Sequence, residues 1–195
     1  NGVPTDPDPG RRPPCGGGGR HRSVEEGERP ASRSPVPVPS PAAMRLVLFQ
    51  PDIPQNTGTI LRLCACLGVE AHIIEPAGFP VTDRHFRRAG MDYLDHVTIL
   101  RHASWAAFED WRVNARCRLV LFSTRAARPY LDHDYRNEDV LLFGRESAGV
   151  PDNVAEAADA RLVIPIAPGM RSLNVAVAAA MALGEALRQV RGPRS

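Results

Sequence analysis

The sequence predicts an α/β fold, a parallel sheet with helices on both faces. Three observations lead there. Short apolar runs that read as buried strands alternate with helical stretches from Leu46 onward. Two of these runs, within Leu141–Pro151 (LLFGRESAGVP) and Ile164–Ala176 (IPIAPGMRSLNVA), break at Gly or Pro into loops. The second loop leads into an Ala-rich helix. In open α/β sheets the ligand crevice lies outside the carboxyl ends of the strands, so two such ends point to one shared pocket.

Residues 1–43 are different material. They hold 10 of the 19 prolines and 7 of the 16 glycines, and their six Arg nearly cancel five acidic residues. Such a segment buries too little apolar surface to offset its ordering entropy, so it is expected to be a disordered tail. The mixed charge argues against an RNA-binding arm. The folded domain is expected over 44–195, opening at Met44, with the tail as upstream sequence or a lineage-specific extension.

Leu46–Phe49 reads as a first buried strand, ended by Pro51 and Pro54. Asn56–Leu67 reads as a helix capped by Asn56 and stopped by Gly68. Its Ile60, Leu61, Cys64 and Leu67 share one face, and Arg62 lies on another. Ala71–Ile74 is the second strand, closed by Pro76. Thr82 or Asp83 opens a short helix carrying Arg84, Arg87 and Arg88. That cluster is a solvated face or a phosphate-binding patch, and the patch is favoured. Val97–Leu100 is the third strand. Ser104 caps a helix to about Val113 that packs through Trp105, Phe108 and Trp111. Leu119–Phe122 is the fourth strand, and Asp132–Asp139 is a polar connection with His133 as a surface residue. Val140–Phe143 and Leu162–Ile164 are the fifth and sixth strands. The last helix runs from Ser172, its cap, to about Val190. Leu173, Val177, Ala180, Gly184 and Leu187 form its packing face.

In the two loops, Gly144 and Gly149 permit close backbone approach or a positive φ. Pro165 and Pro168 stiffen the second loop. The helix start after it turns free N–H groups and the positive dipole end toward the crevice. Such loops suit a flat, polar, adenosine-like ligand held by main-chain contacts. Ser172 and Asn174 fit a capping role and a site role equally well.

Composition narrows the partners. All 24 basic residues are Arg and the formal net charge is +2, so any RNA contact must come from local Arg clusters. Cys15, Cys64, Cys66 and Cys117 show no metal-ligand spacing. Cys64 and Cys66 are expected in the core of a cytoplasmic protein in a reducing compartment. No run of about eighteen apolar residues is present, so no membrane span is expected. The N-terminus has no apolar core of a signal peptide.

The segments LLFGRESAGVP and IPIAPGMRSLNVAVAAA resemble the second and third motifs of the SPOUT methyltransferases, and QPDIPQNTGTILRLC (Gln50–Cys64) resembles the first. HIIEPAGFPVTDRHFRRAGMDY (His72–Tyr93) is similar to the subfamily that 2′-O-methylates the wobble cytidine or uridine of leucine tRNAs. The likeness runs from Met44 to about Gln189 in motif order. It implies a C-terminal deep trefoil knot, which periodicity cannot show. It also implies S-adenosylmethionine as methyl donor, no metal, and a homodimer paired through the last helix and the first. By the same resemblance, Phe122, Gly144, Ile164, Ser172 and Leu173 contact the donor. Arg62, Asn56 and Asn174 serve catalysis, Glu146 orients its loop or an Arg, and Arg84, Arg87, Arg88 and Arg171 meet RNA. Arg62 is better suited to hold phosphate and developing oxyanion charge than to act as a base, because a guanidinium keeps its proton. One departure stands out: relatives carry a tyrosine before the glutamate of the last helix, where this chain has Gly184 before Glu185.

Other classes fit less well. GRESAG lacks the glycine spacing and following acidic residue of a dinucleotide-binding turn. No Ser, His and Asp fall in a nucleophile-elbow context. A non-catalytic RNA-binding protein of the same fold, or a 2′-O-methylase of another RNA site, remains as the alternative.

Overall fold

The computed structural model describes residues 44–80 and 96–192, together with Gly2. The expected tail and the expected short helix with Arg84, Arg87 and Arg88 lie outside the described residues. The strands are β1 (Arg45–Phe49), β2 (Glu70–Ile74), β3 (Ile99–His102), β4 (Arg118–Phe122), β5 (Arg128–Pro129), β6 (Asp139–Phe143) and β7 (Ala160–Val163). The helices are α1 (Pro54–Leu67), α2 (Trp105–Asn114), α3 (Asp152–Glu156) and α4 (Val175–Arg191). The strands form one sheet in the order β3-β2-β1-β6-β4-β7-β5, and every pairing is parallel.

The sheet is buried on both faces, as parallel sheets are. Alternate strand residues divide the core. Leu46, Leu48, Val120, Phe122, Leu141, Phe143 and Leu162 face α1 and α4, joining Ile60, Leu61, Cys64, Ala179, Ala182 and Leu183. Val47, Phe49, Leu119, Leu121, Val140 and Leu142 face the other way, toward Phe108 of α2 and Val154 of α3. The expected α/β architecture with helices on both faces is therefore present. Trp105 and Trp111 pack beside Phe108, and the Ser104 hydroxyl caps α2 by accepting Ala107 N–H at 3.2 Å. Gly68 ends α1 in the left-handed region at φ 62°, where a side chain would be strained.

Several local expectations are corrected. Asn56 does not cap α1: Ile53 holds the N-cap position, because Pro54 lacks an N–H and suits the first helical turn. Ser172 does not cap the last helix either. Asn174 does, its Oδ1 accepting Ala176 and Val177 N–H at 2.8 and 3.4 Å. α4 turns Ala176, Ala179, Ala182, Leu183, Ala186 and Leu187 inward, so of the expected packing face only Leu187 is buried. Alanine on every side of the helix hides which stripe faces the core, and the small inner stripe lets α4 lie close to the sheet and α1. β3 starts at Ile99 rather than Val97, and β7 ends at Val163, leaving Ile164 in the loop. Cys66 is exposed while Cys64 is buried. His133 is not a surface residue but is 5% exposed. The 3-10 turn Tyr130–Asp132 brings it inward, and Gln189 of α4 pins the strap by bonding His133 O and Tyr135 N at 3.1 and 3.0 Å. The short elements β5 and α3 have no counterpart in the sequence reading.

Candidate functional site

The carboxyl ends of β4, β6 and β7 open into one cleft of about 1060 Å³, closed on one side by the segment leading into α4. Its lining brings together Phe122, Gly144, Ile164, Ser172, Leu173, Asn56, Arg171 and Asn174 from distant parts of the chain. Leu121, Phe122, Phe143, Val163, Ile164 and Ile166 supply apolar wall, while Arg125, Arg145, Arg161 and Arg171 bring positive charge. Arg62 is exposed on α1 and is not among the residues that line the cleft. Arg84, Arg87 and Arg88 lie outside the described residues.

The loop after β6 is a tight reversal. Arg145 and Gly149 exchange two main-chain hydrogen bonds, at 2.9 and 2.8 Å. Gly149 has φ +69°, and a Cβ at Gly144 would sit 2.5 Å from the Gly149 carbonyl carbon. Gly144 is thus required first by its own loop, rather than only by a ligand's approach.

A hydrogen-bond chain joins this loop to the start of both long helices. Asn56 Nδ2 donates to Glu146 Oε1 at 3.1 Å, and Asn174 Nδ2 donates to Asn56 Oδ1 at 2.9 Å. Asn174 Oδ1 caps α4, so one side chain both closes a helix end and reaches across to α1. Glu146 Oε2 accepts Asp52 N–H at 3.3 Å, and Asp52 Oδ1 accepts Glu146 N–H at 3.2 Å. The two carboxylates split their affinities for protons, as neighbouring like charges do. Asp52 is held down to about 2 by its side-chain contact with Glu146 and then by Ser147, against burial. Glu146 is pushed up, first by burial and then by Asp52. Glu146 therefore orients α1 and its own loop. Asp52, Arg125, Arg145 and Arg161 were not singled out from the sequence. For Asp52 the available signal was an acid between two prolines immediately after a strand.

The cleft fits an adenosine-bearing sulfonium such as S-adenosylmethionine. The segment 164–174 carries no regular secondary structure, so most of its main-chain carbonyls are not tied up in helix or sheet. Apolar walls flank them, and the arginines suit a carboxylate tail. Among the described residues no cluster of His, Cys, Asp and Glu is arranged to hold a metal ion.

Residues 43–184 match the model of the SpoU rRNA Methylase family. A tRNA (cytidine(34)-2'-O)-methyltransferase of Beijerinckia indica is 70% identical over 145 residues, spanning 74% of this chain and 91% of the relative. A solved structure described as giving insight into the 2-OH methylation of C/U34 on tRNA superposes with a TM-score of 0.73 at 41% identity, covering 79% of this chain and all of that one. The SpoU methyltransferase AviRb from Streptomyces viridochromogenes, in complex with the cofactor AdoMet, superposes with a TM-score of 0.68 at 29% identity, covering 78% and 62%. The strand ends, the glycine reversal and the capped helix of the cleft thus sit in a fold that these methyltransferases share, and the chain belongs to the SpoU rRNA methylase family.

Proposed function

We propose that the protein methylates the 2′-oxygen of the wobble nucleotide, cytidine or uridine, in a tRNA anticodon. S-adenosylmethionine, when bound, supplies a methyl group already activated on a sulfonium. The observation that carries the reading is the convergence of Phe122, Gly144, Ile164, Ser172 and Leu173 in one cleft with Asn56 and Asn174. The relative that is 70% identical over 74% of this chain is named for 2'-O-methylation of tRNA cytidine 34. The chain's part is to orient and to stabilise charge. Positioning of this kind can supply roughly 7–11 kcal/mol of a barrier. The loops after β4, β6 and β7 hold the donor by main-chain contacts. Asn56 and Asn174 fix the edge where the ribose enters, and Arg171, Arg84, Arg87 and Arg88 are the arginines that meet the RNA. Arg62 binds phosphate and steadies the emerging alkoxide.

The working unit in this reading is a cytoplasmic homodimer of the domain 44–195, with its C-terminal part tied in a deep trefoil knot. Strand order supports the knot, since β7 enters between the earlier strands β4 and β5. Two features support the dimer. Val177 and Met181 of α4, Leu173 just before it and Ile53 before α1 are exposed apolar residues. Arg62 does not line the cleft, which agrees with its serving a partner's site in this reading. Arg62→Ala is expected to keep donor affinity by calorimetry and lose methyl transfer to tRNA. Mixed with Gly144→Ala subunits, it should recover about a quarter of wild-type activity, since half of freely exchanging dimers then hold one intact site of two. Mixed dimers with no activity would place both groups in one subunit.

A further inference from the structure

Pro51-Asp52-Ile53-Pro54 leaves β1 as a short loop whose prolines restrict its backbone. The loop is pinned from behind. Gly78 N–H donates to Pro51 O at 2.8 Å, and a Cβ on Gly78 would come within 3.0 Å of Asp52 Cα. Ahead of it, the Asp52 carboxylate gathers the turn after β6. Oδ1 accepts Glu146 N–H at 3.2 Å, and Oδ2 accepts Ser147 N–H at 3.4 Å and the Ser147 hydroxyl. Arg145 Nε lies 3.8 Å away. In return Asp52 N–H donates to Glu146, whose other oxygen takes Asn56, which in turn takes Asn174.

We infer that Asp52 is a positioning residue for methyl transfer, whose carboxylate holds the 145–149 turn in register and, through Glu146, sets Asn56 and Asn174 in the cleft. The inference rests on the methyltransferase reading above. Without the carboxylate, the main-chain N–H groups of Glu146 and Ser147 lose their acceptor, so the backbone that carries the Glu146 side chain is no longer held. Asn56 and Asn174 then follow a Glu146 whose backbone is free to shift. The side chain reaches no reacting atom itself, so its effect passes through these neighbours.

The test uses the full chain with a tRNA transcript and S-adenosylmethionine, comparing Asp52→Ala, Asp52→Asn and Asp52→Glu. Wild-type methylation must first be seen; its absence would defeat the functional reading, whatever Asp52 does. With it present, Ala and Asn are expected to lower kcat by about tenfold or more while leaving KM for tRNA within about twofold, because small misplacements act on the transition state. Glu, which restores a carboxylate, is expected to recover most of the loss. Three results would overturn the role: Ala with wild-type kcat, a loss confined to KM, or Glu no better than Ala. If the Ala variant fails to fold, the near-isosteric Asn variant against Glu decides between the same outcomes.

Discussion

Two polar clusters adjoin the same sheet, one beyond the carboxyl ends of β1 and β6 and one among β1, β2 and β3, and they differ in what surrounds them. At the cleft, Asp52, Glu146, Asn56 and Asn174 lie on loops and helix starts, partly open to solvent. Beneath α2, Glu70, His72 and His102 on β2 and β3 meet Arg45 of β1, walled in by Phe108 and Trp111. His72 Nδ1 and His102 Nε2 are 2.8 Å apart, and His72 is fully buried. Arg45 stacks 5.4 Å from the Trp111 ring and donates to Cys117 Sγ. The first cluster joins segments that a ligand could rearrange. The second ties strands that pair along their whole length. The comparison teaches that buried polarity here has two uses, shaping a cleft and fixing strand register, and that the two should respond to different perturbations.

The largest effect is expected from Gly144→Ala at the cleft. The new Cβ collides with main chain rather than with a flexible side chain. Donor affinity by calorimetry should fall about 100-fold or more, about 2.7 kcal/mol. The sheet beneath should survive with its circular dichroism intact. Wild-type affinity in this variant would break the link between the turn and the cleft.

The sealed cluster should instead report through stability. His102→Phe keeps a ring but leaves His72 without its partner, at a cost of about 1–3 kcal/mol in denaturant unfolding. Activity per folded molecule should stay unchanged. Acid should act on the same place. His102 is pushed down to about 4 from the usual 6.5, first by burial and then by His72. The unfolded chain therefore binds more protons between those values, so stability is full above 6.5 and falls as pH drops toward 4. His72, with Glu70 and Arg45 around it, is shifted the same way by burial. In His102→Phe the slope of melting temperature against pH across this window should flatten. An unchanged slope would place the acid sensitivity elsewhere.

How far the sequence reached follows the same division. Strands were legible because a sheet buried on both faces needs nearly continuous apolar runs, and Leu46–Phe49, Leu119–Phe122 and Val140–Phe143 are such runs. Arg128–Pro129 escaped notice because two residues carry no period. At the site, Phe122, Gly144, Ile164, Ser172, Leu173, Asn56, Arg171 and Asn174 meet in one cleft. Their local duties were less legible. Asn174 and Ser172 are both good caps, and only the chain path selects Asn174. Asp52 and Glu146 are far apart in sequence, so their mutual capping has no local trace. His133 reads as polar loop, yet Gln189 draws its strap onto α4.

The smallest effect sharpens the dimer reading. Gly184 lies in α4 on the exposed side, with open space around a new Cβ. In an isolated subunit Gly184→Ala should stabilise by about 0.5–1 kcal/mol, as removal of a helical glycine does. A partner helix packed closely there would reverse the sign and weaken association in sedimentation.

The central claim is wobble-position ribose methylation, and mass-spectrometric mapping tests it most directly. Unmodified tRNA would be treated with the full protein and S-adenosylmethionine, digested and mapped for 2′-O-methylribose, with Arg62→Ala beside it. The account predicts a single new methyl group at the wobble nucleotide, absent with Arg62→Ala. Methylation at another position, in ribosomal RNA instead, or on a base rather than a ribose would contradict it.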